Sequence, residues 1–162
     1  MRKVSISMDE LVPILQMQME TAGSAVLTVT GYSMLPMLHN GKDTVRLTPV
    51  KGAVKKGDLI LYKRDNGVYV LHRILCVKGS TLICCGDNQY ITEKIGTHQV
   101  LAVVSGFVRN GKTYRAEDRG YRAYVFWWVA LHPIRILYLI PRRLLGWILA
   151  MIRRWRRGKR LR

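Results

Sequence analysis

The sequence predicts a mostly-β fold, an antiparallel sheet with one helix before it and a compositionally different segment after it. Between residues 25 and 115, short runs rich in β-branched residues alternate with turn residues, which is typical of antiparallel strands. The segment before residue 25 has helical periodicity. We therefore divide the chain into an N-terminal helix (1–24), a β domain (25–120) and a C-terminal segment (121–162).

The N-terminal segment carries the signals of a helix start and a helix end. Ser7 and Glu10 have the spacing of a capping box, and Gly23 predicts the C-terminal end. Between them, apolar residues at helical spacing predict one buried stripe: Leu11, Ile14, Leu15 and Met19. Acidic residues interrupt any apolar run near the start of the chain, so we expect no secretory signal peptide.

The β domain contains six predicted strands, at residues 25–30, 44–47, 59–62, 68–77, 81–85 and 100–108. The tetrapeptide Arg64-Asp65-Asn66-Gly67 predicts a hairpin turn between the third and the fourth. Gly106, inside the last predicted strand, indicates a bulge.

A bend, Gly31 to Pro36, follows the first predicted strand and contains a serine. Gly31 lets the chain leave the strand sharply, and Pro36 restricts the residue before it to extended geometry. We therefore expect Ser33 on a fixed bend with its hydroxyl exposed. From these residues alone two interpretations stay open, a turn serine that bonds its own backbone and a catalytic nucleophile.

The octapeptide Gly-Tyr-Ser-Met-Leu-Pro-Met-Leu around Ser33 resembles the Gly-x-Ser-Met-x-Pro-x-Leu box of the signal peptidase I and LexA-like serine peptidases. Three further segments follow in that family's order: Lys56-Gly57-Asp58-Leu59-Ile60, Val70-Leu71-His72-Arg73-Ile74 and Cys85-Gly86-Asp87-Asn88. The resemblance spans roughly residues 25–108 and implies the antiparallel β fold of these peptidases. It is closest to the histidine-type enzymes of the endoplasmic reticulum, because His72 stands where bacterial members have a lysine.

The resemblance implies roles for three residues. Ser33 is the expected nucleophile, and His72 is the expected general base. Strand alternation gives His72 an otherwise apolar face, so it also fits a buried core histidine bonded to a carbonyl. Asp87 resembles the acid that supports the site in histidine-type enzymes, although Gly-Asp-Asn also favours a plain turn.

Other assignments stay open at this site. Glu93 is the nearest residue to a second acid of those enzymes, and Lys42 and Lys63 are possible bases outside the matching boxes. The N–H of Ser33 is the expected first oxyanion donor, whereas the serine that many signal peptidases supply as another donor is Gly31 here. We expect no cofactor and no metal, because the three cysteines and four histidines lack metal-ligand spacing.

The C-terminal segment has its own charge balance. Residues 1–120 have a net charge of +6 and residues 121–162 have +11 without any acid, out of +17 in total. A membrane span over residues 123–141 is marginal, because Arg135 alone costs ~2.5–3.5 kcal/mol at a helix centre. Residues 141–157 predict an amphipathic helix with Trp on one face and Arg on the other, as in interfacial anchors. A helix docked on the β domain with a solvated basic face is the alternative.

The combined expectation is a serine endopeptidase that cleaves a leader or signal peptide by a Ser–His mechanism. The expected partners are this peptide and anionic membrane lipids, with no specific nucleic acid. We expect membrane association, with the cytoplasmic face favoured by the lack of a signal peptide. Two alternatives remain: a LexA-like regulator that cleaves itself, for which Ala22-Gly23 is the only upstream Ala-Gly pair, and a membrane- or nucleic-acid-binding protein with an inactive peptidase fold.

Overall fold

The computed structural model describes residues 7–135, 137 and 151, and it is mostly β. The α-helices are α1 (Met8–Ala22) and α2 (Arg119–Ala130), and a single 3-10 turn covers Thr97–Gln99; the strands are β1 (Ala25–Thr28), β2 (Thr44–Thr48), β3 (Leu59–Lys63), β4 (Tyr69–Lys78), β5 (Thr81–Cys85), β6 (Glu93–Gly96), β7 (Val100–Arg109) and β8 (Lys112–Arg115). Every strand pair is antiparallel, in the order β1-β2-β7-β3-β4-β5-β6 with β8 beside β7. The predicted mostly-β class with an N-terminal helix is confirmed.

Helix α1 has the predicted caps, but its buried stripe differs from the prediction at Val12 and Ile14. Both hydrogen bonds of the Ser7–Glu10 capping box form, at 3.2 and 3.3 Å, and Gly23 takes the left-handed conformation with φ 74°. Val12 joins Leu15 and Met19 in the buried set, whereas Ile14 is 44% exposed. The prediction of Ile14 as a core residue is therefore wrong, because the helix presents a neighbouring face to the sheet.

The six predicted strands are all present, with ends that differ by no more than two residues. The predicted hairpin turn is confirmed, since the Arg64 N–H donates to the Val68 carbonyl at 2.9 Å and Gly67 has φ 83°. The bulge is also confirmed: Arg46 pairs with Gly106 and Leu47 with Val104, which leaves one extra residue in β7.

Two strands lacked a sequence signal. β6 reads Glu-Lys-Ile-Gly and β8 reads Lys-Thr-Tyr-Arg, so neither has enough apolar residues to predict a strand. Both form because a longer strand beside them, β5 or β7, supplies the hydrogen-bonding partners. Their existence is a tertiary effect, and β6 matters because its first residue is Glu93.

Two buried clusters lie along the sheet. The first lies among α1, β1, β2, β3 and β7, and the second among β3 to β7, with Ile60, Tyr62, Ile74, Leu82, Cys84 and Ile95 at its centre. Successive residues of a strand point to opposite faces, so β3 contributes Leu61 to the first cluster and its two neighbours to the second. The Gln99 side chain, just beyond β6, donates to the Lys63 carbonyl at 3.0 Å. The end of β6 therefore returns to the end of β3, and these strands curl around the second cluster.

Helix α2 has two apolar faces. The inner face packs on the sheet through a chain of ring contacts that joins Phe107, Tyr121, Tyr124 and Trp128. The outer face is exposed, with Phe126 65% and Trp127 61% accessible. Exposed apolar residues continue beyond the end of the helix: Leu131, Ile134 and Leu137.

Arg135 lies in the C-terminal segment, but its side chain contacts the β domain. It is buried, and its guanidinium donates to the carbonyls of Asp87 and Trp128, both at 2.9 Å. None of the helices that the structure describes is long and apolar enough to cross a membrane. The amphipathic helix predicted at 141–157 lies outside the described residues, apart from Met151.

Candidate active site

Ser33 lies on the bend between β1 and β2. Gly31 has φ 86°, and its N–H donates to Asn40 Oδ1 at 3.0 Å, which turns the chain away from β1. Met34 and Leu38 are buried in the first cluster and anchor the bend from below. Ser33 itself is half-buried. The bend therefore has a fixed conformation and keeps the serine at the edge of the core.

The turn after β5 holds Ser33 from the other side. The N–H of Asn88 donates to the Ser33 carbonyl at 2.7 Å, and the Asn88 side-chain amide donates to the Tyr32 carbonyl at 3.2 Å. A Cβ atom on Gly86 would lie only 2.6 Å from the Ser33 carbonyl oxygen and 3.0 Å from Ser33 Cβ. Position 86 is therefore a glycine because the bend carrying Ser33 packs directly against its backbone.

His72 lies on β4 and is 3% exposed. Arg73, the next residue of β4, pairs with Cys85, and Gly86, which follows Cys85, packs against Ser33. Among the described residues, the contacts do not include a direct hydrogen bond between Ser33 and His72. Ser33 and His72 thus lie on segments that both reach the end of β5.

Glu93 is the acid that contacts His72. Its Oε1 lies 2.8 Å from His72 Nδ1. The register explains the contact: Glu93 pairs with Cys84 and Cys84 pairs with Ile74, so these side chains share the sheet face of His72. Because a carboxylate only accepts, Nδ1 carries the proton and Nε2 is the basic nitrogen.

Two further residues complete the hydrogen bonds of the Glu93 carboxylate. Arg64 donates to both oxygens, Nε to Oε2 at 2.6 Å and Nη2 to Oε1 at 2.9 Å, and the Tyr62 hydroxyl donates to Oε1. Burial raises the pKa of Glu93, but these hydrogen bonds outweigh burial and lower the pKa to about 2. Burial also lowers the pKa of His72 below its usual 6.5, although Glu93 acts in the opposite direction. At pH 7 the site therefore holds a carboxylate and a neutral imidazole.

Asp87 lies on the other face of the sheet. Its carboxylate accepts from Arg73 Nε at 2.9 Å and from Arg73 Nη2 at 2.8 Å, and both side chains are inaccessible to solvent. Arg73 follows His72 in β4, so the two side chains point in opposite directions. Asp87 thus contacts Arg73. It also belongs to the turn whose next residue, Asn88, donates to the Ser33 carbonyl.

The other sequence candidates have separate partners. Lys63 pairs with Asp9 at 3.1 Å, Lys42 is exposed, and Asp58 accepts from the Lys55 N–H at 2.9 Å as a turn residue. Within residues 7–135, 137 and 151, no group of three or more His, Cys, Asp or Glu side chains could hold a metal ion. The three cysteines are free thiols.

Sequence reasoning did not identify Tyr62 and Arg64 as members of the site. Tyr62 reads as a core residue of β3, and Arg64 reads as the first residue of a hairpin turn. Neither position indicates that β6 returns to this end of β3. A scan of protein-family models and a search of curated proteins both give no match for this chain.

Proposed function

We propose that this chain is a serine endopeptidase in which Ser33 is the nucleophile, His72 the general base and Glu93 the acid that orients the imidazole. The observation that carries the proposal is the hydrogen bond between Glu93 and His72, and the hydroxyl that this base would activate is assigned to Ser33 by the sequence resemblance. This order of acid, base and hydroxyl is the one that activates a serine. The sequence resemblance supports the same roles for Ser33 and His72, with Glu93 as the partner of the imidazole.

In the proposed reaction, Ser33 Oγ attacks the peptide carbonyl and its proton passes to His72 Nε2. Glu93 retains the Nδ1 proton and stabilises the imidazolium that forms. His72 then protonates the leaving amine, which leaves the acyl group on Ser33. A water molecule deprotonated by the same Nε2 hydrolyses this ester and releases the serine. General-base assistance of this kind contributes ~10²- to 10⁴-fold in rate.

Asp87 supports the nucleophile in this proposal, while Glu93 supports the base. The Arg73–Asp87 ion pair fixes the turn that contains Gly86 and Asn88. That turn holds the Ser33 carbonyl, and with it the Ser33 N–H that we propose as first oxyanion donor.

The substrate class that we propose is a leader or signal peptide, which the family resemblance implies. The self-cleaving alternative has less support. Ala22 ends α1 and Gly23 is its left-handed C-cap, so the bond between them lies in a helix terminus. A peptide that pairs with a sheet edge is instead extended.

We also propose that the enzyme works at an anionic membrane surface. A surface helix normally presents polar residues to solvent, but the outer face of α2 presents Phe126 and Trp127. The segment from residue 121 onwards adds a net charge of +11 without any acid. We expect binding to anionic vesicles that weakens with added salt. Co-sedimentation with anionic vesicles should show weaker binding for Trp127→Ser and unchanged binding for Ile14→Ser. Binding of the wild type to neutral vesicles in high salt that equals its binding to anionic vesicles would contradict the proposal.

The peptidase activity can be tested without knowing the natural substrate. The full-length protein is incubated with a peptide library, and new termini are identified by mass spectrometry. We expect cleavage by the wild type, none by Ser33→Ala, and a loss of ~10²-fold or more for Glu93→Gln. Ser80→Ala, an exposed serine distant in sequence from the site, is the matched control. Cleavage by Ser33→Ala at the wild-type rate would rule the mechanism out.

A further inference from the structure

The mechanism above leaves Arg64 without a role. This arginine follows β3, and its Nε and Nη2 donate to the two oxygens of Glu93 at 2.6 and 2.9 Å. The residue before it, Lys63, points instead to Asp9. A two-point contact of this kind fixes the plane of the carboxylate and also neutralises its charge.

A carboxylate beside His72 has two opposed effects. It orients the imidazole, but a negative charge at hydrogen-bond distance also favours the imidazolium, which cannot accept the serine proton. Burial is the largest effect on the pKa of His72 and opposes its protonation; Glu93 on β6 and Asp87 after β5 favour protonation, and the positive charge of Arg64 adds to the effect of burial. Tyr62 on β3 donates to the same Glu93 oxygen as His72 and so competes for it.

Arg64 therefore lets Glu93 orient the imidazole while reducing the negative charge that would stabilise the imidazolium. With Arg64 in place, the Glu93 carboxylate stays ionised and correctly oriented, but the pair presents little net charge to the imidazole. Without Arg64, the full charge of Glu93 acts on His72 from 2.8 Å.

We propose that Arg64 is a positioning residue that acts on His72 through Glu93, fixing the carboxylate against Nδ1 and keeping the imidazole neutral at physiological pH. The effect of Arg64 on the reaction rate rests on the proposed peptidase function. Its effect on His72 is a property of the folded protein, so the two can be tested separately.

The first test is an NMR titration of full-length protein that follows His72 Cε1–H, assigned by its loss in His72→Gln. Arg64→Met keeps the length of the side chain and removes its charge, so we expect the midpoint of His72 to rise by about one pH unit. Arg64→Lys keeps the charge but loses the two-point contact, and a smaller rise of about half a unit is expected. Arg46→Met, an exposed arginine on β2, is the matched control and should titrate as wild type.

A His72 midpoint that is unchanged in Arg64→Met would overturn the proposal. If Arg64→Met does not fold, Arg64→Lys carries the same test, with an unchanged midpoint again as the contrary result. Folding of each variant is checked from the dispersion of the same spectra.

The second test is the pH dependence of kcat/KM on a peptide from the library. The acid limb of the Arg64→Met profile should move upward with the NMR midpoint, so that the rate falls by up to about tenfold at pH values below the wild-type midpoint and recovers towards pH 8. A purely structural role would lower the rate by the same factor at every pH, and that result would overturn the proposal. If the NMR midpoint moves but the wild type cleaves no peptide, Arg64 has the inferred effect on His72 and the peptidase function is wrong.

Discussion

Two arginine–carboxylate pairs lie on opposite faces of one part of the sheet, and they differ in depth and in contacts. Arg73 and Asp87 have side-chain exposures of 0% and 1%, and their neighbours are backbone and core side chains. Arg64 and Glu93 have exposures of 38% and 24%, and they contact His72. The same chemistry thus occurs once as an enclosed pair and once as a half-exposed pair.

The difference in depth indicates a difference in use. A buried pair cannot replace a lost partner with water, so it fixes whatever is attached to it, here the turn that holds Ser33. A half-exposed pair adds little stability, because water solvates either member if the other is removed. In the proposed mechanism, the Glu93 carboxylate serves mainly to orient His72, which it contacts at 2.8 Å. In the proposed mechanism, the Arg73–Asp87 pair supports the nucleophile and the Arg64–Glu93 pair supports the base.

Asp87→Asn gives the largest expected effect on stability. The substitution leaves the Arg73 guanidinium buried beside a neutral amide, so we expect a loss of about 3–5 kcal/mol in the free energy of unfolding. Urea denaturation of the full-length protein measures it, with the exposed Glu20→Gln as control. If Asp87→Asn is as stable as wild type, the comparison between an enclosed and a half-exposed pair fails.

Gly86→Ala tests the contact that lies between the two pairs. The new methyl would lie 2.6 Å from the Ser33 carbonyl oxygen, a backbone atom, so the bend must move. A displacement of this size at a reacting group can reduce kcat/KM by up to ~10²-fold. Gly120→Ala is the control, because a Cβ at Gly120 meets nothing within 4 Å. Equal peptide cleavage by both variants would show that the bend is not held at Gly86.

The smallest expected effect is the pH dependence of the half-exposed pair. The pKa of Glu93 falls from 4.5 to about 2 on folding, so its stabilising contribution is present above pH 4.5 and is lost as the pH falls towards 2. The difference in unfolding free energy between wild type and Glu93→Gln should therefore be greater at pH 7 than at pH 3. Urea midpoints at the two pH values measure it. A difference that does not change with pH would mean that the charge of Glu93 contributes nothing.

The sequence by itself determined the local features of this protein. Capping residues placed α1, alternating apolar runs placed six strands, and Gly31 with Pro36 placed the bend of Ser33. These features depend on residues close together in the chain, where propensity and periodicity act directly.

Only the tertiary structure decided which acid contacts His72. Asp87 and Glu93 are six residues apart in one polar connection, and nothing local distinguishes them. The register of β4, β5 and β6 puts Glu93 on the face of His72 and leaves Asp87 with Arg73 on the other face. A shift of one residue in the pairing of β6 would turn Glu93 away from His72, because side chains alternate across a sheet. Register depends on pairing between strands, and β6 forms only because β5 lies beside it.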